Sequence, residues 1–386
     1  MGIITKLRAI SFVSLHFFST HARVIWVLTA GFGDGHNTAA RSVAEALRRR
    51  VPEVPVRVSD VIEDTHPRLA RVFQSAYQMA IIRFPWLWRM AYAQMAKPEF
   101  AQTAEWCQPI LRELQQRLET EKPKAIVCTY PSYAGLLDVL RNKGVPVPPV
   151  ITIITDSISV HPIWVMAPSD VFCVADEDTH VAVEKLGVPA EKLRISGFPV
   201  SLAFTESVQR EHAGAQILYL PSTTPVHVAQ TLEALKPLLI NNVKLTLPVG
   251  KHGPRLYHLI RRFTDANPTA NVEIIGWTNR IPHLLQTHDV VICKAGGAIL
   301  HEVLAAKIPA VIDYVVPGQE EGNAELLLRH DCALRSHTPQ ETGDCVRRLL
   351  ENNAALGQQM RRNIEPLSEP EAAMKVVDVV LQTFTR

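Results

Sequence analysis

The stretch DVVICKAGGAILHEVLAAKIPAVIDYVVPGQEEGNAELLLRHDCA, residues 289–333, contains two apolar runs separated by a helical pattern. The first run ends at the glycine pair Gly296-Gly297, where a helix begins, and the second ends at Pro317-Gly318. Continuous apolar runs, without alternating polar residues, are typical of parallel strands that are covered on both faces. The stretch therefore predicts a β-α-β unit of a doubly wound α/β sheet, with a ligand site where its strands end.

The same pattern of short apolar runs alternating with helical stretches continues along the chain. The runs are RVIWVLTA, KAIVCTY, PPVITIITD, SDVFCVAD, QILYLP, KLTLPVG, NVEIIGW, DVVICKAGG and PAVIDYVV. The alternation pauses at residues 196–207, where Gly197 and Pro199 interrupt it. Because 386 residues are enough for two cores, we predict two Rossmann-like domains facing a cleft. We assign residues 1–200 to the first domain, residues 201–367 to the second and residues 368–386 to a C-terminal docking helix.

The docking helix is predicted from an apolar face and a start signal. Ser368 and Glu371 have the spacing of a capping box. The residues that share one helical face are Ala373, Val376, Val377, Val380, Leu381 and Phe384.

The charge balance is close to neutral, with 40 Lys+Arg against 38 Asp+Glu and a net charge of +2. This charge is too small for a protein that binds nucleic acid through its overall field, so we expect no nucleic-acid partner. The six cysteines show no CxxC spacing, which is typical of reduced core residues in a cytoplasmic protein.

The N-terminus has a basic start and a short apolar stretch, which weakly suggests a signal peptide. Serine and histidine interrupt the apolar part, so we favour retention in the cytoplasm. No run reaches the about 20 apolar residues that span a bilayer. Taken together with the basic and aromatic segment between Thr65 and Pro98, this favours a peripheral protein on the inner face of the cell membrane.

The loop GFGDGHNTAA, residues 31–40, follows the first strand. Gly31, Gly33 and Gly35 allow a tight turn, and the helix after them directs unpaired N–H groups at the loop, which favours an anion. His36, at the mouth of the loop, is a candidate general base or phosphate contact. A dehydrogenase would use Asp60, at the end of the next strand, for the ribose but needs glycine at position 36. A loop that only closes a β-α turn remains the alternative.

The segment ITIITDSISVHPIWV, residues 151–165, ends a buried strand at Asp156, and His161 follows in the loop. A carboxylate at the end of a central strand can accept a proton from a substrate hydroxyl or orient a base. An aspartate that caps a turn is the alternative. The position of Asp156 at the same sheet edge as His36 favours a catalytic role.

Acidic residues also form the triplet Asp176–Asp178. Such a triplet could bind a nucleotide-sugar diphosphate through Mg²⁺, but a single triplet is a weak ligand set. We favour a helix N-terminus with acids in its first turn, where the helix dipole stabilises them.

Between Thr65 and Pro98 the chain has no acidic residue, and its cations are interleaved with aromatic residues. The candidate contacts are Arg83, Trp86, Trp88 and Arg89. This composition is typical of an amphipathic segment that lies in an anionic membrane surface. A helix pair that covers a core with its arginines extended to solvent is the alternative.

The glycine pair Gly296-Gly297 predicts a second anion site at a helix start, and Glu302, one to two turns into that helix, could reach ribose hydroxyls. After the next strand, Gln319, Glu320 and Asn323 offer several donors and acceptors on a short rim. Sugar hydroxyls require such groups for a fixed orientation. A solvated turn is the alternative for these residues.

Four motifs, GDGHNTAA, ITDSISVHPIW, KAGGAILHEVLA and PGQEEGNA, together resemble glycosyltransferases that make monogalactosyl- or glucosyldiacylglycerol. They are similar, more distantly, to the N-acetylglucosaminyltransferase of lipid II synthesis. The resemblance extends from about Arg23 to the C-terminus, and its last motif is the most specific. It implies the GT-B fold, with an acceptor-binding first domain that faces the membrane and a second domain that binds the UDP-sugar.

The resemblance also implies the reaction and its residues. A hexose would pass from a UDP-sugar to a lipid acceptor, diacylglycerol, with inversion and without a required metal or other cofactor. The implied donor contacts are Gly296, Gly297, Glu302, Gln319, Glu320 and Asn323. The implied catalytic or acceptor residues are His36 and Asp156, and the acceptor loops carry Gly33, Gly35 and His161.

One segment departs from the family pattern. Residues 221–225, PSTTP, stand where the family has a glycine-rich loop near the diphosphate. Hydroxyl groups could replace backbone amides there, but Pro225 removes an N–H. Two other functions therefore stay open: a UDP-sugar epimerase or hydrolase on the same fold, and a non-catalytic subunit that binds nucleotide-sugars.

Overall fold

The computed structural model describes residues 24–31, 33–95, 107–210, 214–240, 242–250 and 253–384. The N-terminal stretch that weakly suggests a signal peptide lies outside these residues. Within them, the chain forms two separate six-stranded sheets, each parallel throughout. The predicted architecture of two doubly wound, Rossmann-like domains is confirmed.

The first sheet has the strand order β2-β1-β3-β4-β5-β6. Its strands are β1 (Ile25–Leu28), β2 (Val56–Ser59), β3 (Ala125–Cys128), β4 (Val150–Ile153), β5 (Val171–Val174) and β6 (Leu193–Ile195). The helices around it are α1 (Asp34–Arg50), α2 (Val61–Thr65), α3 (Pro67–Arg83), α4 (Pro85–Gln94), α5 (Gln108–Glu121), α6 (Pro131–Asn142) and α7 (Glu177–Lys185).

The second sheet has the strand order β12-β11-β10-β7-β8-β9. Its strands are β7 (Gln216–Tyr219), β8 (Lys244–Pro248), β9 (Asn271–Ile275), β10 (Val290–Lys294), β11 (Ala310–Tyr314) and β12 (Ala333–Arg335). The helices are α8 (Pro225–Leu235), α9 (Gly253–Ala266), α10 (Ile281–Thr287), α11 (Gly297–Ala306), α12 (Glu321–Arg329) and α13 (Pro339–Ile364), and the chain ends with α14 (Ala372–Phe384).

All nine apolar runs form strands. Eight of them are buried between the helices on the two faces of their sheet, whereas the edge strand β9 is only partly buried. In β1, Ile25 and Val27 pack against one layer, which includes α1, whereas Trp26 and Leu28 pack against the other, which includes α5 and α6. A tenth strand, β2, is the one expected to end at Asp60. The short strands β6 and β12 were not predicted. Each has three residues and is exposed at its carboxyl end, so neither has the apolar run that marks a buried strand.

The last helix returns to the first domain. Val376, Val377 and Val380 of α14 are buried with residues of β1 and α1, as the predicted docking helix requires. The predicted capping box does not form, because the helix begins at Ala372, one residue after Glu371. The hydroxyl of Ser368 is buried and has no hydrogen-bond partner.

Gly197 allows the link between the domains to pass beneath this returning segment. Its φ is +78°, and a Cβ atom there would lie only 2.7 Å from Cβ of Ala372. Any other residue would strain the backbone and collide with the start of α14. The predicted boundary between residues 200 and 201 falls in the same stretch between β6 and β7.

We predict that Val377→Ala destabilises the first domain by about 2 kcal/mol, because it removes two buried methyl groups and leaves a cavity. The matched control is Gln382→Ala on the exposed face of the same helix, which should cost less than about 0.5 kcal/mol. Urea unfolding of both variants measures the difference. Equal losses would show that α14 is not docked on the first domain.

Candidate active site

The carboxyl ends of the central strands of both domains meet at the loop of residues 155–159, which follows β4. The backbone N–H of Ser157 donates to Oδ1 of Asn323 over 3.1 Å, and Nδ2 of Asn323 donates to the carbonyl oxygen of Ala295 over 3.2 Å. Oγ of Ser157 lies 2.9 Å from Nε2 of His301. Groups of the second domain therefore hold this loop of the first domain in place.

Two glycines allow the domains to approach so closely. A Cβ atom at Gly297 would lie 2.6 Å from the carbonyl oxygen of Thr155, and one at Gly322 would lie 2.2 Å from Oγ of Ser159. These distances are far below contact distance, so larger residues would push the domains apart. Gly297 was predicted to serve an anion, and the structure assigns it a contact between the domains as well.

Asp156 lies in this loop between the two domains. Its Oδ2 accepts a hydrogen bond of 2.7 Å from Nε1 of Trp164, and the backbone N–H of His161 supports the carboxylate. Burial raises the pKa of Asp156 to about 6, an effect that these two hydrogen bonds partly offset and that the nearby Glu320 carboxylate reinforces. A carboxylate with this pKa is ionised at neutral pH and is more basic than an exposed aspartate.

His36 lies beside the same loop, with Nδ1 at 3.0 Å from Oγ1 of Thr155. Its ring also bonds the backbone of Thr129, whose N–H already donates to Leu28, so the ring must donate to the Thr129 carbonyl. Burial lowers the pKa of His36 to about 4. The imidazole is therefore neutral at pH 7 and both nitrogens have partners, which favours a positioning role over that of a base.

His161 is also held by both ring nitrogens. Nε2 donates to the backbone carbonyl of Tyr92 over 2.9 Å, and Nδ1 accepts from the N–H of Ile163 over 3.2 Å. Burial lowers the pKa of His161. Among the three groups predicted near the acceptor loops, Asp156 thus has the protonation chemistry of a base, and the two histidines shape its surroundings.

The glycine loop before α1 is held by Asp60. Its Oδ2 accepts from the N–H of Gly31 over 2.8 Å, and its Oδ1 caps α2 by accepting from Glu63. The ribose role of a dehydrogenase is thereby contradicted, because the carboxylate is engaged in supporting the loop. Gly33 has φ of +104°, and α1 begins directly after it at Asp34.

Gly35, in the first turn of α1, lies close to the second domain. A Cβ atom there would be in ordinary contact, at 3.9 Å, with Cβ of Ala298 in α11. The first glycine loop therefore faces the start of α11, as expected for two loops that both follow the carboxyl ends of parallel strands.

Lys294 and Glu320 form an ion pair at the end of β10. Oε2 of Glu320 also accepts from the N–H of Val316 over 3.0 Å, and the residue is almost fully buried. A Cβ atom at Gly296 would lie 3.2 Å from Nζ of Lys294, so the ammonium group stands next to the N-terminus of α11. Glu320 is therefore not an open rim acceptor as predicted, because it orients a lysine that the motif analysis left without a role.

The remaining residues predicted to contact the donor lie in different environments. Asn323 is buried and connects the domains, so it does not line an open rim either. Gln319 is half-buried and accepts a hydrogen bond of 3.1 Å from the hydroxyl of Tyr77. Burial raises the pKa of Glu302 in α11 to about 7, and the positive charge of the nearby Arg41 limits this rise.

The unusual loop of residues 221–225 serves the start of α8. Oγ1 of Thr224 accepts from the N–H of His227 over 3.3 Å, and Pro225 is the first residue of the helix. Proline is favoured there, because the first helical N–H has no partner within the helix. Oγ of Ser222 donates to the carbonyl of Leu220 over 3.2 Å. Pro225 is thus accommodated without loss of a helical hydrogen bond.

The acidic triplet Asp176–Asp178 lies at the N-terminus of α7, the interpretation that the sequence analysis favours. Oδ1 of Asp176 accepts from the N–H of Thr179 over 2.8 Å, and Asp178 pairs with Arg329 over 2.8 Å. No group of three or more potential metal-ligating side chains occurs in the part of the chain that the structure describes.

The basic and aromatic segment forms α3 and α4, and its residues divide between two sides. The large apolar side chains exposed to solvent are Val72, Phe73, Met79, Phe84, Trp86, Leu87 and Met90. Trp86 is 64% exposed, and Arg83 and Arg89 are exposed as well. The stem of Arg89 lies against Gly318 of the second domain, so this predicted membrane contact is on the other side. We call the exposed apolar residues of the segment, together with Arg68 and Arg83, the outer surface. Across its described helices, the chain has none long and apolar enough to cross a membrane.

Trp88 does not belong to the outer surface. Its ring packs edge-on against Tyr77 at 4.9 Å and stacks on Tyr92 at 5.6 Å, and Nε1 is buried. The prediction that Trp88 contacts a membrane is therefore corrected. Two residues along a helix correspond to about 200°, so Trp88 points away from Trp86.

Sequence reasoning missed three residues of the site, namely Lys294, Thr155 and Tyr77. Lys294 carries a recognisable signal, a cation at the end of an otherwise apolar buried strand. Thr155 and Tyr77 carry none, because their roles depend on contacts with residues more than 100 positions away.

Comparison with known proteins agrees with this geometry. Residues 36–200 match the family described as monogalactosyldiacylglycerol (MGDG) synthase. A processive diacylglycerol beta-glucosyltransferase of Bacillus cytotoxicus is 25% identical over 368 residues, which cover 93% of each chain. The crystal structure of Acinetobacter baumannii MurG superposes with a TM-score of 0.58 at 15% identity, covering 93% of this chain and 99% of MurG. A Neisseria meningitidis UDP-GlcNAc 2-epimerase bound to UDP-GlcNAc superposes with a TM-score of 0.58 at 13% identity, with 93% and 99% covered.

The two facing Rossmann-like domains have the GT-B fold of these solved structures, and the family model and the curated relatives support a glycosyltransferase. Within this class, the resemblance to the glycosyltransferases that make glycosyldiacylglycerols, stated from the four motifs, is confirmed.

We predict that the His36 imidazole stays neutral down to about pH 4. Burial disfavours the charged ring, so its ¹⁵N resonances should titrate about 2 units below those of a free histidine. A pH titration of imidazole-¹⁵N-labelled protein measures this, and His36→Asn identifies the signal by removing it. A midpoint near 6.5 would mean that the site is open to water.

Proposed function

We propose that this protein is an inverting hexosyltransferase that moves a hexose from a UDP-sugar to diacylglycerol at a membrane surface. The observation that carries the proposal is the position of Asp156. It is a carboxylate with a raised pKa, held between the start of the donor-side helix α11 and the loops of the first domain. The names of the matched relatives support the lipid acceptor and the hexose.

The donor is proposed to bind to the second domain at the N-terminus of α11. A helix N-terminus favours a diphosphate, and the ammonium group of Lys294 stands beside it. Glu302 is on the same helix and is assigned to the ribose, and Gln319 after β11 is assigned to the hexose. The UDP-GlcNAc bound to a protein of the same fold supports a UDP-sugar in this cleft.

Asp156 is proposed to remove the proton of the acceptor hydroxyl. The hydroxyl oxygen then forms a bond to the anomeric carbon from one side, while the bond from that carbon to the UDP oxygen breaks on the other. One displacement of this kind inverts the anomeric centre. UDP leaves with the bonding electron pair, and the helix N-terminus and Lys294 stabilise its negative charge.

The same residues account for a reaction without a required divalent metal. Two positive contributions already face the proposed diphosphate, namely the partial charge of the α11 N-terminus and the full charge of Lys294. Glu320 fixes the lysine through their ion pair. We therefore propose that activity persists in a chelator.

The outer surface is proposed to bind the anionic inner face of the cell membrane. Val72 and Met79 share one face of α3 with Arg68 and Arg83, and α4 adds Trp86. The apolar side chains would enter the lipid boundary while the arginines pair with anionic head groups. This location would place the acceptor diacylglycerol next to the cleft, because α3 also contacts Gln319, the residue assigned to the hexose.

A UDP-sugar epimerase or hydrolase is the second candidate. It is favoured by the superposition on the epimerase, whose TM-score equals that of MurG. Such an enzyme acts without a lipid, and the outer surface has no role in its reaction. Release of UDP in the absence of any lipid separates the two functions.

We predict transfer of hexose to diacylglycerol in anionic liposomes when UDP-glucose or UDP-galactose is supplied, detected by mass spectrometry of the lipids. Asp156→Asn should reduce the rate by about 10²–10⁴-fold, because it removes the general base. Since the pKa of Asp156 is raised to about 6, the base form exists above this value, and the parent rate should fall below pH 6. The rate should be unchanged in EDTA.

Two controls accompany this assay. UDP affinity of Asp156→Asn should equal that of the parent, which excludes a folding defect. The proposal fails if Asp156→Asn turns over at the parent rate, or if UDP-sugar is consumed equally well without lipid.

We predict that Trp86→Ala weakens sedimentation with anionic liposomes at all salt concentrations, because burial of an indole ring is apolar and unscreened. The double variant Arg68→Gln/Arg83→Gln should lose binding mainly at low salt, since each cation contributes about 1 kcal/mol that salt screens. Trp277→Ala is the matched control, because Trp277 is 71% exposed and lies after β9 at the opposite edge of the second sheet. Parent-like sedimentation of the α3 and α4 variants would exclude the outer surface as the membrane contact.

A further inference from the structure

Three contacts join the helix pair α3–α4 of the first domain to the second domain. They involve the end of β11 and the loop after it, residues 314–319, which we call the donor rim. The hydroxyl of Tyr77 donates to Oε1 of Gln319 over 3.1 Å, and the hydroxyl of Tyr314 donates to the carbonyl of Ile81 over 3.3 Å. Gly318 has φ of +84°, and a Cβ atom there would lie 3.2 Å from Cγ of Arg89. The rim after β11 is therefore shaped by the first domain as well as by its own loop.

The ring of Tyr77 is the first in a row of aromatic rings that pack against one another. It packs edge-on against Trp88 at 4.9 Å, Trp88 stacks on Tyr92 at 5.6 Å, and Tyr92 lies 4.1 Å from the ring of His161. We call these four residues the aromatic row. It extends from the donor rim to the loop in which the backbone of His161 supports Asp156.

The phenol of Tyr77 is a fixed donor at neutral pH. Burial, reinforced by the charges of Glu320 and Asp156, raises its pKa to about 12. A phenol that keeps its proton can donate to the amide oxygen, whereas it could not donate if it were ionised.

The orientation of the Gln319 amide decides what it can bind. An amide has an accepting oxygen on one side and a donating NH₂ group on the other, and a rotation of 180° exchanges them. With Oε1 receiving the proton of Tyr77, the NH₂ group is left to donate to an oxygen of a ligand. Within the described residues, no hydrogen-bond acceptor is paired with that NH₂ group.

We propose that Tyr77 is a positioning residue that fixes the amide of Gln319 with its NH₂ group toward the hexose of the donor. The hexose contact of the second domain would then be complete only when the first domain has closed over it. Tyr77 would not affect the affinity for UDP itself, because the diphosphate and ribose are assigned to α11. The inference rests on the proposed UDP-sugar donor and adds a residue to its recognition.

The experiment is a double-mutant cycle on the purified full chain with UDP, UDP-glucose and UDP-galactose as ligands, measured by calorimetry without acceptor. Tyr77→Phe keeps the ring in the aromatic row and removes only the hydroxyl. It should weaken binding of the better UDP-hexose by about two- to tenfold, as expected for one net hydrogen bond, and leave UDP binding unchanged. In a Gln319→Ala background, Tyr77→Phe should have no further effect.

Tyr314→Phe is the matched control. It removes the other tyrosyl hydrogen bond between the same two elements and leaves Gln319 untouched, so UDP-hexose affinity should be unchanged. An equal loss in Tyr314→Phe would mean that closure alone, and not the amide orientation, is responsible, and would overturn the inference. Additive effects of Tyr77→Phe and Gln319→Ala, or an equal loss for UDP, would also overturn it.

The same data separate this inference from the function on which it rests. A parent chain that binds neither UDP nor either UDP-hexose overturns both. A parent chain that binds a UDP-hexose, together with additive variants, overturns the role of Tyr77 and leaves the donor proposal standing.

Discussion

The hydrogen bonds of the Asn323 side chain are the interaction on which the site depends. A buried backbone N–H requires a partner, and that of Ser157 finds it in the other domain, at Oδ1 of Asn323. The same amide donates to the backbone of Ala295, just before α11 begins. One side chain thus fixes the loop that carries Asp156 relative to the helix assigned to the donor. Glycine at positions 297 and 322 makes the approach sterically possible.

Closure of the two domains also has an electrostatic result. Removal of water disfavours any charged form, so it raises the pKa of the carboxyls of Asp156 and Glu302 and lowers that of the His36 imidazole. One physical cause therefore gives a neutral histidine beside a carboxylate of increased basicity. The hydrogen bond from Trp164 limits the rise for Asp156, which keeps the carboxylate ionised at neutral pH.

The helix pair α3–α4 presents different side chains on its two sides. Its outer surface exposes apolar side chains and arginines. A large exposed apolar patch is uncommon on a soluble protein unless a partner or a membrane binds there. Its inner side carries Tyr77, Trp88 and Tyr92, whose rings form most of the aromatic row. A membrane contact on one side and a donor contact on the other would connect the lipid surface with the sugar site through a single rigid element.

By itself, the sequence determined the two-domain α/β architecture, because short, continuously apolar runs between helical stretches are typical of parallel strands with helices on both faces. It also located the strand ends at which His36, Asp156 and the glycine pair meet, since parallel strands bring their carboxyl ends to one edge. The edge strands β6 and β12 escaped prediction because half-exposed strands of three residues leave no apolar pattern. Only the tertiary structure decided that Glu320 orients Lys294, that Asn323 joins the domains, and that Trp88 points inward while Trp86 points outward. These assignments depend on which groups lose water and which find partners across the cleft, and no local pattern of residues encodes such contacts between distant parts of the chain.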